Sequence, residues 1–127
     1  MSTILVVDDS ESLRHLFEHT LANGGHKVLT ASDGKKATAL LATHEVDLVA
    51  TDIYMPNGDG LEVLMALRRM KHRAPAIAMS SITGEMGMLH TAKQLGAKIT
   101  LQKPFPPEEL LRCANELLGA GTRPQPV

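Results

Sequence analysis

Five short apolar runs, at residues 4–7, 28–29, 46–50, 76–79 and 99–101, alternate along this chain with five segments of helical periodicity. The runs are brief, mostly contain β-branched residues, and are bounded by polar, Gly or Pro positions, so they read as strands. The second is the weakest, with only Val28 and Leu29 to mark it. Between the runs, apolar residues recur at three- and four-residue intervals. The sets are Leu13, Leu16, Phe17 and Leu21, then Ala37, Leu40 and Leu41, then Val63, Leu64, Leu67 and Met70. Met88, Leu89, Ala92 and Leu95 follow, and last come Leu110, Leu111, Ala114, Leu117 and Leu118. Each set predicts a helix with one apolar stripe. Ser10 and Asp33 are candidate N-caps, and Gly24, Gly96 and Gly119 stand where helices commonly stop. Strictly alternating strands and helices predict an α/β fold, a parallel sheet covered by helices on both faces.

Length and composition set bounds on this reading. A chain of 127 residues suits one domain. With two Phe, one Tyr and no Trp, its core must be aliphatic. A net charge of −1 gives no electrostatic case for nucleic acid, which would call for a basic face. Cys113 is the only cysteine, which excludes an internal disulfide and makes a reducing compartment the default. No apolar run approaches the roughly 20 residues of a membrane span, and the start of the chain lacks the basic and cleavage regions of a signal peptide. The expectation is a soluble cytoplasmic protein, with a domain over residues 1–119 and a flexible tail over 120–127, where Gly and Pro accumulate.

In open α/β sheets, ligands bind beyond the carboxyl ends of the strands. The first strand runs into Asp8-Asp9, the third ends in Asp52, the fourth in Ser80-Ser81, and the fifth runs into Lys103-Pro104. The second offers nothing charged. With that strand at one edge, the other four polar ends converge. Three carboxylates facing one ammonium leave about two negative charges for a divalent cation to neutralise. Oxygen-only ligation suits Mg²⁺ better than zinc. Lys103 and the Ser80 hydroxyl are donors suited to a phosphoryl oxygen, and a carboxylate can attack phosphorus to form an aspartyl phosphate.

These residues, together with Ile4-Leu5-Val6-Val7, Ile53-Tyr54-Met55-Pro56-Asn57-Gly58-Asp59-Gly60 and Phe105, make the chain resemble the receiver domains of two-component response regulators, in their stand-alone, chemotaxis-type form. The resemblance covers about residues 3–119, with its motifs in the family's order and spacing. It implies a flavodoxin-like, doubly wound five-stranded sheet of order 2-1-3-4-5 with five helices, an order for which a chemotaxis receiver is itself a standard example. It implies Asp52 as the phosphoacceptor, fed by a histidine kinase or phosphotransfer protein. Asp9 would ligate Mg²⁺ directly and Asp8 largely through water, with Asp52 and the Tyr54 backbone carbonyl completing the protein ligands. Lys103, before a cis Pro104, would pair with the phosphoryl group. The Ser80 hydroxyl would swing toward it and draw the following loop along. Output would pass to a downstream partner protein or by onward phosphotransfer, from a monomer or weak dimer, through the fourth helix, fifth strand and fifth helix.

Two positions depart from the family's pattern. Thr100 stands where receivers often carry Tyr or Phe, so an aromatic rotamer switch is lacking and the signal must pass through backbone or helix shifts. Ser81 stands where Ala or Gly is usual, beside Ser80. Two other functions compete with the switch. A Mg²⁺-dependent phosphohydrolase would carry a second acid two residues after the nucleophile, where this chain has Tyr54. A pseudo-receiver that is never phosphorylated would not need the acidic set of Asp8, Asp9 and Asp52. His15 and His19 have metal-pair spacing without a third ligand and read as a solvated face. Met86-Gly87-Met88 reads as a loose start to the fourth helix, and Cys113 as a small residue of the last helix.

Overall fold

The computed structural model describes residues 2–55, 60–81 and 86–120, with backbone only at 86–88 and 120. Pro56-Asn57-Gly58-Asp59, the side chain of Met88 and the tail beyond Ala120 lie outside the described residues. The elements run β1 Thr3–Val7, α1 Glu11–Asn23, β2 Lys27–Ala31, α2 Gly34–Thr43, β3 Leu48–Asp52, α3 Gly60–Arg69, β4 Ala76–Ser80, α4 Met86–Gln94, β5 Ile99–Gln102 and α5 Pro107–Ala120. All strand pairs are parallel, in the order β2-β1-β3-β4-β5. The expected fold class and the edge position of the second strand are both observed.

Alternation along the strands divides the core in two. Leu5, Val7, Val49 and Ile53 pack with Ala37, Leu41, Val63, Leu64, Leu67 and Ala92, under α2, α3 and α4. Ile4, Val6, Ala50, Ile77 and Met79 pack with Phe17, Leu21, Leu110, Cys113 and Ala114, under α1 and α5. Central strands buried on both faces explain why the first, third and fourth runs are continuously apolar rather than alternating. Phe17 stacks on Phe105, with ring centroids 5.6 Å apart, tying α1 to the residues after the cis Lys103-Pro104 bond.

Local chemistry sets the helix ends. Ser10 Oγ accepts from the Leu13 N–H at 3.3 Å, and Asp33 Oδ1 from the Lys36 N–H at 2.9 Å, so both predicted N-caps act as caps. Gly96 ends α4 in the left-handed region, at φ 114°. Gly24 caps α1 as expected, at φ −81°, and Gly25 beyond it takes the left-handed conformation. Other expectations need correction. Gly119 lies inside α5, which runs on to Ala120. The third strand starts at Leu48; Val46 is buried ahead of it, in the connection from α2. Leu16 is 44% exposed, because it lies about 100° around the helix from Phe17, and the buried stripe follows Phe17 and Leu21 with Leu13 beside them. Met70 is also exposed, since α3 ends at Arg69 and Lys71 turns the chain at φ 53°. His15 and His19 are exposed and Cys113 is buried.

Candidate functional site

The parallel register sets the carboxyl ends of β1, β3, β4 and β5 side by side. Val7 pairs with Thr51, Asp52 with Met79, and Ser80 with Gln102. Asp8 follows β1 and is fully buried, whereas Asp9 is exposed. Asp52 is the last residue of β3 and only 6% exposed. One carboxylate oxygen from each of Asp8, Asp9 and Asp52 lies within 4.8 Å of the others. Lys103 reaches in from the end of β5, its Nζ donating to Asp8 Oδ2 at 2.8 Å and to Asp52 Oδ2 at 3.1 Å.

Burial and like charge make this cluster costly. Burial pushes the Asp52 carboxyl up from 3.8 to about 6, against the pull of Lys103 and with a further push from Asp8 and Asp9. Burial would lower the Lys103 ammonium, but its bonds to Asp8 and Asp52 outweigh that and leave it raised. The lysine is therefore charged across the physiological range. One cation against three close acids still leaves net negative charge. The donors are all hard oxygens, two of the three acids are buried, and no nitrogen or sulfur ligand belongs to the group. This chemistry fits Mg²⁺ and not zinc.

Neighbouring backbone holds the acids in place. Asp8 Oδ1 accepts the Ser10 N–H at 2.9 Å, so the carboxylate is oriented by the same turn that starts α1. Arg14 Nη1 donates to the Asp8 carbonyl at 2.7 Å, and buried Thr51 Oγ1 to the Asp52 carbonyl at 2.8 Å. Gly60 packs on the backbone just after the acid. Its N–H donates to Ile53 O at 2.8 Å, and a Cβ built there would meet the Asp52 carbonyl and lie 2.8 Å from Ile53 Cα. The sequence reading missed these supports. Thr51 alone left a trace, as a hydroxyl at the end of an apolar run. Arg14 and Gly60 acquire their roles only when the chain folds back.

Ser80 is fully buried at the end of β4, and its carbonyl accepts the Lys103 N–H at 2.6 Å. Ser81, the neighbouring hydroxyl, is half-buried. Tyr54 lies two residues past Asp52, its side chain 67% exposed between buried Ile53 and Met55. Thr100 is half-buried in β5. No helix among the described residues is long and apolar enough to cross a membrane.

The model of the response regulator receiver domain matches residues 4–115. The alkaline phosphatase synthesis transcriptional regulatory protein PhoP of Bacillus subtilis is 37% identical over 107 residues, 84% of this chain and 44% of that protein. The response regulator SaeR of Staphylococcus aureus is 33% identical over 118 residues, 93% of this chain and 51% of its own length. The chain thus spans about half the length of these relatives. Among solved structures, the receiver domain of Francisella response regulator 1452 superposes with a TM-score of 0.87 at 27% identity, covering 96% of this chain and all of that one. The chemotaxis protein CheY4 of Vibrio cholerae does so with 0.83 at 33% identity, covering 91% and 98%.

Proposed function

The chain belongs to the response regulator receiver domain family, and from that premise we propose that it is a phosphorylation-driven switch, with Asp52 accepting a phosphoryl group from a histidine kinase or phosphotransfer protein. The observation that carries this reading is the bridge from Lys103 to both Asp8 and Asp52, inside a cluster of three acids.

The ionised Asp52 carboxylate supplies the oxygen that forms the new P–O bond, as the donor's P–N bond breaks and its imidazole leaves. Lys103 already holds Oδ2 of that carboxylate at 3.1 Å and is placed to pair with the incoming phosphoryl oxygens. Asp8, Asp9, Asp52 and the Tyr54 backbone carbonyl would hold Mg²⁺, which when bound neutralises charge on the transferring group. The Ser80 hydroxyl, buried at the end of the adjacent strand, would bond the new phosphoryl group, and the Ser80 carbonyl links that movement to the Lys103 backbone. With Thr100 in place of an aromatic, the change would travel through backbone and helix shifts to a downstream partner protein.

Incubation with acetyl phosphate and Mg²⁺, followed by intact-mass measurement, tests the reading. A single persistent phosphoryl adduct that Asp52→Ala abolishes is expected. No adduct and no phosphate release would establish a pseudo-receiver instead, and rapid multiple turnover a phosphohydrolase.

A further inference from the structure

At the opposite end of the sheet, the C-terminal ends of α3 and α4 enclose an open pocket of about 210 Å³. Leu64, Leu67 and Leu95 contribute apolar walls, and Arg68, Arg73 and Lys98 line it with cations. Arg69 and Lys71 extend the positive surface, so residues 68–73 hold four cations and no acid in a chain whose net charge is −1. Among the described residues, salt bridges are made by Lys103 and Arg112, and none of these five cations takes part in one.

Two plain explanations cover only part of this cluster. Cations in a last helical turn offset the helix dipole, which accounts for Arg68 and Arg69. It does not account for Lys71, Arg73 or Lys98, which lie beyond the helices. Nor is Lys71 there for backbone reasons. The Lys71 N–H donates to Arg68 O and the His72 N–H to Leu67 O, at 3.0 and 2.9 Å, closing a helix-ending motif that favours glycine. Lysine takes the left-handed φ of 53° instead, a conformation that is strained for a residue with a side chain. What lysine adds over glycine at that position is a charge.

We infer that this pocket is a docking site for an acidic segment of a partner protein, one apolar side chain entering between Leu64, Leu67 and Leu95 while flanking carboxylates meet Arg68, Arg73 and Lys98. The volume falls short of the roughly 300–1,000 Å³ of a drug-sized ligand site and suits a single anchoring side chain. A concave apolar floor ringed by cations matches such a peptide better than a flat anionic membrane or a nucleic-acid backbone, neither of which supplies an anchor. The site lies at the amino ends of the strands, away from Asp52, so docking leaves the acidic cluster accessible. It does not rest on phosphorylation of Asp52.

The test uses the full chain and a fluorescent peptide with one leucine flanked by glutamates on both sides, read by anisotropy. Saturable binding that weakens with salt is expected. The double change Arg73→Gln and Lys98→Gln should weaken it about tenfold. The urea midpoint of that variant should match the wild type, which shows that it folds. Replacing the peptide's leucine by serine should also weaken binding several-fold. The inference is overturned by absence of binding, by equal affinity of the double variant, or by equal affinity of the serine peptide. It is likewise overturned if anionic phosphatidylserine vesicles or a single-stranded oligonucleotide displace the peptide in a manner that depends on Arg73 and Lys98 and bind more tightly than it does.

Discussion

Lys103 and Asp52, 51 positions apart in the chain, meet through a 3.1 Å contact between Nζ and Oδ2, and the same ammonium holds Asp8 at 2.8 Å. This one cation makes two buried carboxylates tolerable so close together. Removing it leaves them facing each other with less compensation. Lys103→Ala should raise the Asp52 pKa above its present value of about 6 and slow acetyl-phosphate labelling on the order of 10²-fold, the usual cost of losing one charge-stabilising donor. Adduct formation followed by mass against pH checks both effects.

Asp52 itself should destabilise the metal-free fold. Its pKa is higher in the folded protein, about 6 against 3.8, so between those values the native state holds more protons than the unfolded chain. Stability attributable to this group therefore falls as pH rises from 3.8 to about 6 and is level above that. The shift corresponds to about 3 kcal/mol at most, reduced by the bond that Lys103 loses when the acid is neutralised. Asp52→Asn should thus be more stable than the wild type by on the order of 1–3 kcal/mol at pH 7, with little difference below pH 4. Urea midpoints at the two pH values, with a chelator present, decide it.

Added Mg²⁺ should narrow that gap. Binding to the folded state alone stabilises it by RT ln(1 + [L]/Kd), about 2.7 kcal/mol at a hundredfold excess over Kd. The rise in Tm on Mg²⁺ addition should be clear in the wild type and largely lost in Asp9→Asn, and EDTA should stop phosphoryl labelling. An unchanged Tm with Mg²⁺ would count against an ion site at Asp8, Asp9 and Asp52.

Gly60→Ala should be harmful, because Gly60 is buried at the start of α3. The new methyl would meet backbone, the Asp52 carbonyl and Ile53 Cα, neither of which can rotate aside as a side chain can. Destabilisation of about 2 kcal/mol or more is expected, with slower labelling because the strand end carrying Asp52 has to move. Chemical denaturation and labelling rates measure the two consequences separately.

Tyr54 is 67% exposed two residues past Asp52, and a side chain there that leaned over a phosphoryl group would hinder attacking water. Tyr54→Ala should shorten the lifetime of the phosphorylated form several-fold, as the loss of a water-excluding group would. An unchanged decay of the adduct would remove this role from the side chain.

Much of this architecture was legible in the linear order of residues. Apolar runs at 4–7 and 76–79 mark strands covered on both faces, and Ser10 and Asp33 announce helices through side chains that bond three residues ahead. Local signals of this kind act within a turn or two, so the chain itself displays them. They were less sharp in two places. Leu16 has the spacing of a buried residue yet faces solvent, about 100° around the helix from Phe17, and Gly119 stands one residue short of Ala120, where α5 ends.

The acids were legible for the same local reason, since Asp8, Asp9 and Asp52 stand at strand ends where polar residues after apolar ones are conspicuous. Their partnership with Lys103 followed from order and resemblance, but its form is tertiary. Which oxygen the ammonium takes, how far burial lifts Asp52, and how closely Gly60 lies under its carbonyl depend on segments tens of residues apart meeting across the sheet. The amino-acid sequence by itself determined which chemical groups stand at the strand ends and that a parallel sheet would carry them. Only the folded structure decided their distances and their charge states, because Coulomb energy and desolvation depend on separation and burial in space, and neither is a property of position along the chain.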